Sequence, residues 1–264
     1  MRSIAIMNNK GGVGKTVTAI NLADILVRDY HQRVVLVDCD GQANLTRFYL
    51  PAFDHEVNAT VADVLTEECE PWRSDILCEI ISGLSLLPAS DRLYMLDVEA
   101  INAGQGRPDR LWHLAESAWD DGDTDWLIFD CPPGYTTASV GALLAAQEVV
   151  IPTTVDGFSF TGMSGLLRQI AAMRSANAEI SVAGVLITQW RNTPVVQEGE
   201  KALRELEVPV FQTVIRRTDK VPESTIAREP LAVYSPKSAA GMDYRAWVRE
   251  LMGEEAAGSG QGKV

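Results

Sequence analysis

The sequence predicts an α/β protein built on one doubly wound, mostly parallel sheet with helices on both faces. Three observations predict it. Short, near-continuous apolar runs recur along the chain, as strands covered on both faces require. Helical segments separate many of them. The first run also ends in a glycine-rich loop that opens directly into a helical pattern.

In chain order, residues 3–8 (SIAIMN) read as a strand, Gly11 and Gly12 break it, and residues 15–30 place Val17, Ile20, Leu22, Ala23, Ile25 and Leu26 at helical spacing. A second strand follows at 33–38 (RVVLVD). Further strands are expected at 84–88, 125–130, 148–152, 181–188 and 208–213, with helices at about 136–147, 158–176 and 194–206. In the second of these helices Phe160, Met163, Leu166, Leu167, Ile170 and Met173 share one side, as core packing requires. Residues 51–83 are punctuated by Pro51, Pro71 and Gly83 and give no clear element beyond a helical VADVLTEE. Residues 1–252 are expected to form one domain, and 253–264 (GEEAAGSGQGKV) a flexible tail.

Composition narrows the function. The net charge is −13, and all the excess acid precedes Val150: residues 1–150 hold 10 Lys+Arg against 23 Asp+Glu, the remainder 13 against 13. Such a balance excludes a polyanion binder that uses its whole surface, and leaves room for a local basic patch in the neutral half. The four cysteines form no C-x-x-C pair and no cluster with histidine, which fits a reduced cytoplasm. Neither a signal peptide nor an apolar run of membrane-spanning length is present.

The loop MNNKGGVGKTVTA (7–19) carries the chemistry. Gly14-Lys15-Thr16 matches the second half of G-x-x-x-x-G-K-[ST], in which backbone N–H groups cradle phosphates, the lysine reaches the β/γ-phosphates and the hydroxyl meets Mg²⁺. Asn9 stands where the first glycine of that pattern falls. A second lysine, Lys10, precedes the glycines and has no place in the usual pattern. Two acids, Asp38 and Asp40, close the second strand, and Asp130 closes WLIFD, so three carboxylates stand at carboxyl ends of strands, where ligands of such sheets bind.

KGGVGKT resembles the deviant Walker A motif of the ParA/MinD superfamily of ATPases. That resemblance implies a P-loop NTPase fold with ATP and Mg²⁺ as cofactors, contacts from Lys10, Gly11, Gly12, Val13, Gly14, Lys15, Thr16 and Val17, and a nucleotide-sandwiched homodimer. In that dimer Lys15 serves its own nucleotide and Lys10 crosses to its partner's. VDCDGQAN resembles the family's D-x-D-P-Q-G-N switch I segment, with Gly41 and Ala43 in place of its Pro and Gly. By that resemblance Asp38 lies near the Mg²⁺ shell and Asp40 orients the attacking water. DCPPG resembles switch II, where Asp130 holds water on Mg²⁺. Thr16, Asp38 and Asp130 are therefore the expected metal residues, and Lys10, Lys15 and Asp40 the catalytic ones. Cys131, with no companion ligand, reads as a small buried thiol.

The resemblance continues to the last helix. VLITQWRN (185–192) is similar to the strand and loop that reach adenine, which implies a contact from Gln189, with Arg217 as a second. In the ParA branch the ATP dimer binds DNA non-specifically through basic residues of the C-terminal half; Arg191, Arg216, Arg217, Lys220, Lys237 and Arg245 are the candidates here. The resemblance thus implies a cytoplasmic, nucleoid-associated partition ATPase stimulated by a ParB-type protein. The first strand starts almost at Met1, which leaves no expected N-terminal DNA-binding domain and makes the chain similar to short Soj-like proteins. A MinD-like membrane or cargo positioner is the alternative, weakened because an acidic, glycine-rich end replaces a basic amphipathic anchor. A metabolic ATP-dependent ligase of the same fold is the other.

Overall fold

Seven strands form one sheet in the computed structural model, which describes residues 1–70, 76–103, 106–156 and 159–254. The elements run β1 (Arg2–Ile6), α1 (Lys15–Tyr30), β2 (Val34–Asp38), α2 (Asn44–Tyr49), α3 (Val61–Leu65), β3 (Cys78–Ile81), β4 (Leu84–Leu87), α4 (Arg92–Ala103) and α5 (Asp109–Asp121). They continue through β5 (Trp126–Asp130), α6 (Thr137–Ala145), β6 (Glu148–Thr153), α7 (Ser159–Met173), β7 (Ser181–Ile187), α8 (Pro194–Arg204), α9 (Lys220–Ala227), α10 (Leu231–Tyr234) and α11 (Ala239–Leu251).

The strand order is β3-β4-β2-β5-β1-β6-β7, and every pairing is parallel except β3 with β4. Side chains alternate across the strands and split the interior into two layers. Ala5, Val35, Val37, Leu127 and Phe129 face α3 to α7. Ile4, Ile6, Val34, Leu36 and Ile128 face α1 and the C-terminal helices, where Trp247 is fully buried edge-on to Phe211 and Tyr244. Strands buried on both faces carry no polar side, which is why they read as unbroken apolar runs.

Three expectations need correction. Residues 208–213 are not a strand: Val210 makes an isolated parallel bridge to Val185, Pro209 before it has no N–H with which to extend the ladder, and the Gln212 and Thr213 N–H groups after it donate to the Glu250 carboxylate. In the region 51–83 the helix expected in VADVLTEE is α3, closed at its start by a reciprocal Thr60–Asp63 capping box, and the edge strand β3 is an element the sequence does not suggest. The helix expected at 158–176 is α7, which ends at Met173; Met163, Leu166 and Ile170 are buried, while the Phe160 side chain lies outside the described residues. The tail expected at 253–264 lies, beyond Glu254, outside them as well.

One helix end makes a stability test. His31 closes α1 in the left-handed region (φ +55°), and its N–H donates to the Val27 carbonyl at 3.1 Å. Left-handed backbone costs a residue with a Cβ roughly 1–2 kcal/mol, part of which glycine returns through its freer unfolded state. His31 is exposed and offers little packing in exchange. His31→Gly is expected to stabilise the protein by about 0.5–1 kcal/mol in urea unfolding at constant m-value.

Candidate nucleotide site

β1 delivers its loop to the carboxyl edge of the sheet, and two side chains pin the loop there. Asn8 Nδ2 donates to the Pro152 carbonyl on β6 at 2.8 Å, and its Oδ1 accepts from the Lys10 N–H at 2.9 Å. Gly12 (φ +74°) and Gly14 (φ +89°) sit in the left-handed region, so glycine is required there by backbone conformation as well as for close approach of a ligand. Gly14 leads into α1, whose N-terminus aims unpaired N–H groups at the loop.

A cleft of about 530 Å³ opens over this loop, lined by Gly11, Gly12, Gly14, Lys15, Thr16 and Val17 on one side and Asp40, Gln42, Asn44 and Pro133 on another. Its third wall is Thr188, Gln189, residues 215–219, Val221, Pro222, Thr225 and Tyr244. Gln189 Nε2 donates to the Gly12 carbonyl at 2.6 Å and Thr188 Oγ1 to the Val13 carbonyl at 2.8 Å, joining the C-terminal wall to the glycine loop. Val13 is buried and, like Lys10, does not line the cleft. Gln189 and Arg217, expected near the base, both do.

The two lysines have different surroundings. Lys15 is buried, and its Nζ donates to the Lys10 carbonyl at 3.1 Å; burial lowers its pKa against the opposing pull of Asp130, Cys131 and Asp40. Lys10 turns away from the cleft and makes an ion pair with Asp156 and a 3.1 Å hydrogen bond to Thr154 Oγ1.

β2 and β5 are in register so that Asp38 stands directly opposite Asp130. Asp38 accepts from the Asp40 N–H (3.2 Å) on one oxygen and from the Thr46 N–H (2.8 Å) and hydroxyl (2.7 Å) on the other. Burial outweighs these bonds and pushes its pKa up to about 6. Asp130 is equally buried, and neither of its oxygens has a hydrogen-bond partner. Desolvation, then Asp38, raise its pKa, while nearby Thr16 and Lys15 oppose the rise. A buried carboxylate without a donor, beside a second carboxylate and a hydroxyl, fits a hard divalent cation held by one or two carboxylates together with phosphates.

Asp40 lies at the rim. Its Oδ1 accepts from the Gln42 N–H (2.9 Å) and its carbonyl from the Ala43 N–H (2.8 Å), closing a tight turn. Ala43 occupies the left-handed region (φ +52°), the conformation that the glycine of the similar family segment adopts freely. Cys131 is buried, with its thiol pKa pushed up by desolvation.

The chain matches the AAA domain family AAA_31 over residues 1–182. It is 31% identical over 258 residues to the chromosome partitioning protein ParA of Caulobacter vibrioides, covering 97% of this chain and 95% of that protein. To the chromosome-partitioning ATPase Soj of Thermus thermophilus it is 33% identical over 255 residues, 96% of each. The chain belongs to the ParA/MinD superfamily. Its fold is likewise that of ParA/MinD P-loop proteins. The crystal structure of cobyrinic acid a,c-diamide synthase from Mycobacterium smegmatis with bound ATP analog and magnesium superposes with a TM-score of 0.78 at 29% identity, over 96% of this chain and 94% of that one.

The six DNA candidates do not form one free patch. Arg216 pairs with Asp243 at 2.7 Å, Lys220 with Glu223 at 2.6 Å and Arg245 with Asp29 at 2.8 Å. Arg191, Arg217 and Lys237 are exposed and make no ion pair among the described residues. The Arg217 N–H donates to the Trp190 carbonyl at 2.9 Å, which sets Arg217 beside Arg191. Sequence reasoning missed Gln42, Asn44, Pro222, Thr225 and Tyr244 as cleft residues: the first two lie in the switch I-like segment, where the acids carry the signal, and the other three belong to no short motif. No helix among the described residues is long and apolar enough to cross a membrane.

Proposed function

We propose that the chain is an ATP-driven dimerisation switch that holds DNA without sequence preference as the ATP dimer and releases it on hydrolysis, in the cytoplasm and on the nucleoid. In this reading it moves a chromosome or plasmid with the help of a ParB-type stimulator. The observation that carries the reading is the divergence of the two loop lysines: Lys15 is committed to its own cleft, while Lys10 points out of it and is held by a partly exposed ion pair with Asp156 and a hydrogen bond to Thr154. Such a pair is worth about 0–1 kcal/mol, so Lys10 is free to exchange it for a facing nucleotide. Exposed apolar side chains on α4 (Met95, Val98) and in the loop after β5 (Tyr135) suit burial against a second copy.

Thr16, Asp38 and Asp130 would hold magnesium, which supplies neutralisation of phosphate charge when bound. The glycine-loop amides and Lys15 bind and orient the triphosphate, residues 188–189 and 215–222 enclose the nucleoside, and Asp40 holds the attacking water in line. A carboxylate is a weak base at neutral pH, so Asp40 acts chiefly by position.

Retention of random duplex DNA with ADP, ATP and a non-hydrolysable analogue, measured across salt, tests the reading. ATP-dependent retention that falls steeply with salt is expected. Arg191→Ala with Arg217→Ala is expected to weaken it uniformly across sequences and to flatten the log–log salt slope by about one for each phosphate left without its cation. Retention indifferent to nucleotide would sink the proposal. The name of the M. smegmatis relative favours a second reading, an ATP-dependent ligase, for which ATP turnover would ignore DNA and require a small acid acceptor.

A further inference from the structure

Gly41 lies in the turn that carries Asp40, yet its backbone is not in the left-handed region, so conformation does not demand glycine there. What favours it is a side chain from elsewhere. A methyl group on Gly41 would stand 3.0 Å from Cζ of Tyr94 and 3.1 Å from both Cε atoms, closer than packed carbon atoms usually approach, so the ring would have to shift. The outer end of the Tyr94 ring therefore rests on the Gly41 Cα and buries it, although Tyr94 itself is half-exposed. The Gln42 side chain faces the phenolic oxygen, and Asp40 is near enough to raise the phenol pKa together with desolvation.

The helix that carries this ring is anchored. Leu93 and Leu96 sink α4 into the interior. One turn along, Asp97 Oδ1 accepts from the Thr137 N–H at 2.7 Å, at the end of the loop that follows Asp130. α4 thus touches the loop after β2 through Tyr94 and the loop after β5 through Asp97, three residues apart on one face. The turn at 40–43 has its own hydrogen bonds, and the Asp40 N–H ties its start to Asp38. Tyr94 adds a contact from outside, at the middle of the turn.

We propose that Tyr94 is a positioning residue for Asp40, its ring clamping the turn at Gly41 from α4. The proposal rests on the reading of Asp40 as the group that orients water. Loss of the ring leaves the turn closed but free to shift, and displacement of about 1 Å can cost 10²-fold in an oriented reaction.

Two measurements on the full chain test it: amide hydrogen exchange at residues 40–43, and ATP turnover with ATP affinity determined separately. Tyr94→Ala is expected to speed exchange at Gln42 and Ala43 by about tenfold or more, and to lower kcat by about tenfold or more while ATP Kd moves less than about twofold. Tyr94→Phe keeps the ring on Gly41 and is expected to restore both. Gly41→Ala keeps Tyr94 but drives a methyl into it, and is expected to lower kcat with ATP affinity held, which keeps the test open should Tyr94→Ala fold poorly. Adding Tyr94→Ala to Asp40→Ala is expected to lower kcat no further.

Parental exchange and parental kcat in Tyr94→Ala overturn the proposal while leaving the Asp40 reading intact. Faster exchange in Tyr94→Ala combined with parental turnover in Asp40→Ala overturns the Asp40 reading instead. Loss of ATP-dependent dimers with exchange at 40–43 unchanged assigns the ring to a subunit interface and overturns the proposal too.

Discussion

Lys10→Ala is expected to abolish the ATP-dependent dimer while leaving ATP bound to the monomer. Lys10 does not line the cleft, so its removal takes nothing from the walls that enclose the nucleotide in the same chain. Its ion pair with Asp156 joins side chains that are each about a third exposed or more, so the monomer should lose less than about 1 kcal/mol of stability. The absence of dimers therefore cannot be charged to unfolding. An ammonium aimed at a facing triphosphate is a charge-assisted contact in a closed interface, and removing one partner of such a pair costs about 2–5 kcal/mol, or about 30-fold to several-thousand-fold in association, twice over in a symmetric dimer. Light scattering with ATP, paired with fluorescent-nucleotide titration, reads the two effects separately. Unchanged dimers would refute a role in trans.

Asp40→Ala is expected to reduce hydrolysis by about 10²-fold or more with a much smaller change in ATP affinity, and so to accumulate a long-lived ATP dimer. The geometry supports a split of this kind. Asp40 sits at the rim with its carboxylate accepting from Gln42 in its own turn, whereas Lys15 and Thr16 line the glycine-loop side of the cleft and Asp38 and Asp130 are buried and do not line it. Removing the rim carboxylate takes away none of these groups. Single-turnover phosphate release measures the chemical step without dissociation of product. A parental rate in this variant would remove Asp40 from the mechanism.

Much of this site is legible in the sequence because strand burial and strand endings write directly into it. β1, β2 and β5 are apolar runs that stop at a glycine loop or a carboxylate, and their bounds follow from the pattern to within a residue or two. That Asp38 and Asp130 stand side by side is not legible, since strand order depends on how β5 inserts between β1 and β2. At 208–213 the apolar run suggests a strand, but Pro209 lacks the N–H to extend the bridge on one side and the Gln212 and Thr213 N–H groups donate to the Glu250 carboxylate on the other. Helices α4 and α5 give no clear sequence signal. Hidden with them is the contact between Tyr94 and Gly41, a meeting of residues distant in the chain that neither periodicity nor motif can announce. The same holds for charge: Arg245 reads as available in the sequence, and the fold brings Asp29 to it.

The interior place of β1, between β5 and β6, has a consequence for synthesis. Its neighbours are supplied by residues 126–130 and 148–150, so once made it waits for more than a hundred further residues before it can pair. Until then the backbone N–H and C=O groups along both its edges have no strand to pair with. Non-local pairing of this kind slows folding and leaves apolar surface open to aggregation in the meantime. Nascent chains cut short before β6 should accordingly stay protease-sensitive and occupy chaperones, and the glycine loop should acquire its ligand-ready shape only after translation has passed the Pro152 carbonyl to which Asn8 is tied.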